Sequence, residues 1–149
     1  MQVKTVAFIA VDLTMLRYLV PLSQRLNSIC PDIKQSFFLP RSNVKYNGLA
    51  LADNHTLGLS LVKNHCPYAS LSDGSEEFDV TFQVESGTEL RSKKRIALQH
   101  GFDYSYSHVV KSLKEQVNLY ICSSQQSCDY ALELGLPAVA APLPVSMWV

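Results

Sequence analysis

The chain has 149 residues, 47% of them hydrophobic and 17% charged, with thirteen basic side chains balanced by thirteen acidic ones. That is ordinary globular composition for one compact domain, long enough to bury a core without staples. Zero net charge removes the bulk attraction that nucleic acid or an anionic membrane would exploit, so no nucleic-acid partner is expected. Cys30, Cys66, Cys122 and Cys128 form no Cys-x-x-Cys pair and fit no zinc spacing. This usage suits a reducing cytosol. The apolar opening carries Lys4 and lacks a small-residue cleavage site, so it does not read as a signal peptide. No apolar run approaches the length of a membrane span, so no integral membrane segment is expected. The expected location is the cytoplasm, with at most a peripheral association with the membrane.

Residues 3–10 are apolar except for Lys4 and Thr5 and read as a strand buried on both faces, the mark of a parallel sheet. Asp12 and Thr14 then offer helix-capping oxygens. Leu13, Leu16, Leu19, Val20 and Leu26 predict a helix to residue 29, which Pro21 should kink or divide and Pro31 should stop. Residues 33–39 form a second predicted strand, followed by a polar connection and a short apolar piece at 49–52. Asn54 or Thr56 can cap a second helix ending before Pro67. Residues 67–77 read as loop and 78–84 as a third strand closed by Ser86-Gly87. Six acids between Asp73 and Glu89 precede four basic residues between Arg91 and Arg95. This charge block reads as a solvated loop before a fourth strand whose core is 96–99.

A helix over 105–115 with Val109, Val110 and Leu113 as its buried stripe follows. Next come a strand over 117–122 with Cys122 as a buried thiol, and a helix over 125–134. Ser123 or Ser124 caps that helix and Gly135 stops it. A sixth strand falls at 138–141. The alternation predicts one α/β domain over 1–149: a Rossmann-like, doubly wound, mainly parallel sheet of five to six strands with helices on both faces. The gap between Gly87 and Lys93 is too short for a helix, so the third and fourth strands should join irregularly. Residues 137–149 are apolar, proline-rich and uncharged. They read as an edge strand or as a linker leading to a further domain.

This topology gathers four loops at the carboxyl edge of the sheet, where open α/β sheets bind ligands. His100, at the end of the fourth strand, can take a proton from a hydroxyl or donate to an anion, or simply cap the strand end. Gly101 lets the backbone turn beside it. Ser86, Gly87 and Thr88 can present N–H groups and hydroxyls to a phosphate or sugar, or form a plain turn. Asp12, Ser123 and Ser124 are helix caps that can also touch a ligand. Asp103 can orient His100 or a substrate hydroxyl. Tyr104 and Tyr106 can stack on a sugar ring or pack. His55, His65 and His108 have no strand-end context. The chain lacks a Gly-x-Gly-x-x-Gly turn after the first strand, a phosphate-binding Walker loop, a Gly-x-Ser-x-Gly elbow and any metal-ligand spacing.

Three segments carry a family resemblance: Phe78-Asp79-Val80, then Lys94-Arg95-Ile96-Ala97-Leu98-Gln99-His100-Gly101, then Val117-Asn118-Leu119-Tyr120-Ile121-Cys122-Ser123-Ser124. Across residues 78–136 the chain resembles the N-terminal half of GT-B-fold glycosyltransferases. Its nearest look is to the branch with CDP-glycerol glycerophosphotransferases and UDP-N-acetylglucosamine 2-epimerase-like proteins. The resemblance implies an acceptor-side domain whose catalytic histidine, at the position of His100, serves an acceptor hydroxyl of a sugar or polyol. It implies a second Rossmann-like domain, in cis or trans, that holds a nucleotide-activated donor. No cofactor is expected in this chain itself, and an isolated half should be inactive. Its exposed cleft wall could pair into a homodimer. The alternatives are a stand-alone Rossmann- or flavodoxin-like binding module without catalysis, and half of a nucleotide-sugar epimerase.

Overall fold

The computed structural model describes residues 2–10, 13–40, 45–46, 49–50, 52–84, 90–99 and 107–142. The opening apolar run forms strand β1 (Thr5–Ile9), buried from Val6 onward. Helix α1 (Leu13–Ile29) lays Leu16, Leu19, Val20 and Ser23 into the interior. Pro21 does not divide it, and one continuous 17-residue helix runs through the proline. A proline inside a helix costs roughly 3 kcal/mol. Burying three aliphatic side chains on the same stripe returns more than that, at roughly 1.5–3 kcal/mol each.

Strand β2 (Lys34–Phe38) leads to a small antiparallel ribbon, β3 (Lys45–Tyr46) with β4 (Leu49–Ala50). Helix α2 (Ala52–His65), strand β5 (Ser70–Leu71) and strand β6 (Glu77–Val84) follow. The second half comprises β7 (Arg91–Leu98), α3 (Ser107–Gln116), β8 (Leu119–Cys122), α4 (Gln125–Glu133) and β9 (Ala138–Ala140). The main sheet has seven strands in the order β5-β2-β1-β6-β7-β8-β9, every neighbouring pair parallel. Counted within this sheet the order is 3-2-1-4-5-6-7, the doubly wound Rossmann-like arrangement with one added strand. The strand beyond the predicted five to six is β5. Its two exposed residues carry no apolar run and are held by pairing with Ser36 and Phe37.

Strand alternation divides the core. Val6, Phe8, Phe37, Val80, Val84 and Leu98 share one face and pack with Leu16, Leu19 and Val20 of α1 and Val62 of α2. Ala97, Tyr120 and Cys122 lie on the other face and pack with Val110 and Leu113 of α3 and with Cys128 and Ala131 of α4. Helices therefore cover both faces, as right-handed crossovers running in opposite directions require. A third, small cluster joins Ala7, Ile9, Phe78 and Leu90.

The basic block is a strand rather than a loop. β7 begins at Arg91, paired in register with Glu77, and runs eight residues beside β6. Its charges are placed individually: Arg91 Nη2 donates to the Ser75 carbonyl, Lys93 pairs with Asp79 at 3.2 Å, and Lys94 is exposed. Only Ala97 and Leu98 of this strand are fully buried, and with Ile96 they are the part that looks like strand in a hydropathy pattern. The connection from β6 to β7, predicted to be irregular, lies outside the described residues except for Leu90.

The amino ends of the strands are clasped by Asp79. One carboxylate oxygen accepts from the amides of Lys4 (2.8 Å) and Thr5 (3.1 Å), while the Asp79 amide donates to Thr5 Oγ1 at 3.0 Å. The Lys4 amide first, then Lys93 and the Thr5 amide, hold the Asp79 carboxyl below its ordinary value of 3.8. A carboxyl depressed in the folded state adds stability that is present above its unfolded pKa and disappears as pH falls through its folded pKa. The stability gap between the native chain and Asp79→Asn should therefore be constant at neutral pH. It should begin to close only below about pH 4. Urea midpoints from pH 7 to pH 2 measure it, and a gap that does not narrow as the pH falls would refute the assignment.

Near the same edge Ser23 of α1 donates to Gln35 Oε1 at 2.6 Å and meets the Tyr68 hydroxyl at 2.8 Å, tying α1 to β2 and to the segment before β5. Helix α4 ends as its sequence predicts. Gly135 takes φ +85, its amide donates to Leu132 O (3.0 Å), and the Leu136 amide donates to Ala131 O (3.0 Å), a Schellman closure.

Candidate functional site

β1 and β6 are neighbours whose chains leave in opposite directions, β1 toward β2 and β6 toward β7. Ligands of doubly wound sheets bind in the crevice outside the carboxyl ends of such a pair. Ile9 and Ala10 bring β1 to this crevice fully buried, and Val84 does the same for β6. Of the residues predicted to line it, Asp12, Ser86, Gly87, Thr88, His100, Gly101, Asp103 and Tyr104 lie outside the described residues, as does Tyr106. Ser123 and Ser124 are described, and the structure gives them distinct roles.

Ser124 is the cap of α4. Its backbone is extended (φ −139, ψ 155), and its hydroxyl accepts from the Ser127 amide at 3.2 Å. As in other singly capped helices, this leaves first-turn amides for solvent or ligand. Ser123 does something else. Both its amide (2.9 Å) and its hydroxyl (3.1 Å) donate to Gln99 Oε1. Gln99 Nε2 donates in turn to Ser127 Oγ at 3.0 Å, and the Ser124 hydroxyl donates to the same Ser127 oxygen at 3.1 Å. The Gln99 amide also bonds Ile121 O at 2.9 Å.

Gln99 is wholly buried, and Ser127 is 6% exposed. A primary amide used on both its oxygen and its nitrogen is held in one orientation. One side chain thus fixes the carboxyl end of β7 to the end of β8 and to the first turn of α4. The residue that follows it in the chain is His100.

Neither Gln99 nor Ser127 was singled out by sequence reasoning. The available signal was a glutamine closing an apolar strand beside His-Gly, where an apolar residue would be expected. A second omission is His55. α2 follows β2 and so starts at the carboxyl edge, and His55 lies in its first turn with Nδ1 buried and unpartnered.

Behind the network, Cys122 is fully buried, as its strand position predicts. Burial, then the neighbouring Cys128 thiol, pushes its thiol up to about 12. At neutral pH it is a packing group rather than a nucleophile. Among the described residues no three His, Cys, Asp or Glu side chains are grouped to hold a metal. Among the same residues no helix is long and apolar enough to cross a membrane.

No protein-family model matches this chain, and no curated protein matches it either. Function must therefore be argued from the edge of the sheet itself.

Proposed function

We propose that this chain is the acceptor-side domain of a GT-B-like transferase, which moves a sugar or related group from a nucleotide-activated donor to a hydroxyl of a sugar or polyol. The observation that carries the reading is the lock on β7. The strand that precedes His100-Gly101 in the chain is anchored by Gln99 to Ser123 and Ser127, at the carboxyl edge of a doubly wound sheet. Catalytic groups need such anchoring, because small displacements of a reacting group cost rate.

In this reading His100 is the general base. It takes the proton of the acceptor hydroxyl as the oxygen bonds to the transferred group, and the bond to the nucleotide breaks with its electron pair leaving on phosphate. Gly101 gives the acceptor room, and Asp103 and Tyr104 orient it. Asp12, Ser86, Gly87 and Thr88 supply polar contacts across the crevice, with Ser123 and Ser124 beside them. The nucleotide-activated donor belongs to a second Rossmann-like domain, in cis or in trans.

The test is turnover in the full-length protein with nucleotide-activated sugars and polyols. His100→Ala should lower turnover by about a hundredfold, the scale usual for lost acid–base catalysis, with an unchanged far-UV spectrum. Turnover near that of the native protein would remove His100 from the mechanism. Acceptor binding without turnover of any nucleotide-activated donor would favour a binding module without catalysis.

A further inference from the structure

Helices cover both faces of the sheet, but not across its whole width. Along β8 burial alternates. Tyr120 and Cys122 are fully buried against α3 and α4, while Leu119 and Ile121 are half-buried. The register carries this second row across three strands. Ile96 of β7 is paired with Leu119, and Ile121 with Val139 of β9. Residues paired in register point to the same side, here the side that carries α1. Val139 is 46% exposed there. All-parallel sheets are ordinarily covered on both faces. Four aliphatic side chains left part-open at one end of such a sheet are an incomplete layer.

Helix α1 borders the gap with an apolar side of its own. Its neighbour α2 is fixed on one flank, where Gln24 Nε2 donates to His65 O at 3.0 Å and Gly58 lies against Leu13 and Leu16. At about 100° per residue, Met15, Leu22, Leu26 and Ile29 fall on the opposite flank, toward β7. The first three are half-buried at the margin of the main core cluster, and Ile29 is 60% exposed. Met15, Leu22 and Ile29 follow one another at heptad spacing, the seam that one helix offers another. Packed helices lie about 8–10 Å apart and strands about 4.8 Å apart. A helix beside α1 therefore sits two strands further on, over Ile96, Leu119, Ile121 and Val139. Basic charges stand at the rim. Lys94, on the same side of β7 as Ile96, and Arg25, near the carboxyl end of α1, are both exposed. A helix running as α1 does brings its carboxyl end, with its partial negative charge, to that rim.

We infer that this groove is the docking site for an amphipathic α-helix of a partner domain, apolar along one stripe and acidic in its last turn. A second copy of the chain does not fit, since its described helices use their apolar stripes on their own sheet. Residues 143–149 do not fit either, because they contain no acidic side chain. The inference is independent of the chemistry at the carboxyl edge.

The probe is a designed peptide of about four helical turns, with one leucine stripe and a glutamate-rich last turn. Its control carries lysines in that turn. Titrated into the 149-residue chain, the acidic peptide should gain helicity by circular dichroism and saturably shift the amide resonances of Ile96, Ile121 and Val139. Val139→Asp and Ile29→Asp change exposed side chains, so the fold should tolerate them. Each should weaken binding about tenfold, the scale of one partly buried aliphatic contact. Lys94→Glu should weaken it about threefold, the scale of an exposed ion pair.

An absence of saturable binding, shifts confined to other strands, or equal binding of the lysine control would overturn the proposal. So would a dimer in equilibrium sedimentation that Val139→Asp dissociates, since a second copy would then fill the groove. Binding that emerges only after residues 143–149 are removed would overturn it too, since the chain would then cover its own groove.

Discussion

Gln99→Ala should destabilise the domain by about 3 kcal/mol, a large loss for one polar substitution. The side chain is wholly buried and makes three hydrogen bonds, two received from Ser123 and one given to Ser127. Truncation leaves the half-buried Ser123 amide without an acceptor, and each orphaned group costs about 1–3 kcal/mol. The volume of the lost amide adds a cavity term beside Ala97 and Cys122. With a urea slope of about 2 kcal/mol per molar, the midpoint should fall by about 1.5 M. A fall below about 0.3 M would mean that Ser123 and Ser127 re-pair with each other or with water, so that the end of β7 is not held by this side chain. In the full-length protein the same substitution should lower turnover without removing any proposed proton-transfer group, because it frees the strand end that leads to His100.

How far the fold could be read from the chain depended on how each residue is buried. β1 and β8 announce themselves because continuous apolar runs are what a two-sided parallel sheet requires, and β6 does so through the alternation of Phe78, Val80, Phe82 and Val84. β5 was invisible, since two exposed residues hold their place only through the backbone of Ser36 and Phe37. The first half of β7 was hidden for another reason. Arg91, Lys93 and Arg95 look like loop, yet Ser75, Asp79 and Leu90 take up their charged ends one by one. Such partners are distant in sequence and leave no periodic trace. Pro21 misled in the opposite direction, because local chemistry argued for a break that the buried stripe of α1 overrides.

At the candidate site, the carboxyl edge followed from strand order, and Ser124 followed from its place before a helix. Gln99 and Ser127 could not be read the same way. Their bond links positions 28 residues apart, and neither belongs to a motif.

Phe8→Ala should have the largest effect of all, a loss of about 4 kcal/mol. Phe8 is fully buried at the centre of the main core cluster. It stands in register with Phe37 on one neighbouring strand and with Phe82 on the other. The rings stack at 5.0 Å and 5.4 Å between centroids. Removing the middle ring breaks two aromatic contacts, each worth about 0.5–1.5 kcal/mol beyond its burial. It also opens a cavity that flanking strands cannot collapse into without breaking their ladders.

For a chain of this size the melting temperature should drop by about 8–16 °C. Phe8→Leu, which keeps most of the volume, should cost less than half as much. A loss under about 2 kcal/mol for the alanine variant would mean that α1 sinks into the gap, and that the β2-β1-β6 sandwich of rings is not what fixes these three strands. The consequence reaches the candidate site. Phe8 is followed on β1 by Ile9 and Ala10, which lead into the crevice, so the variant should also speed amide exchange at the carboxyl ends of β1 and β6 before it does so in β8. Equal acceleration in all strands would instead show that the sheet opens only as a unit.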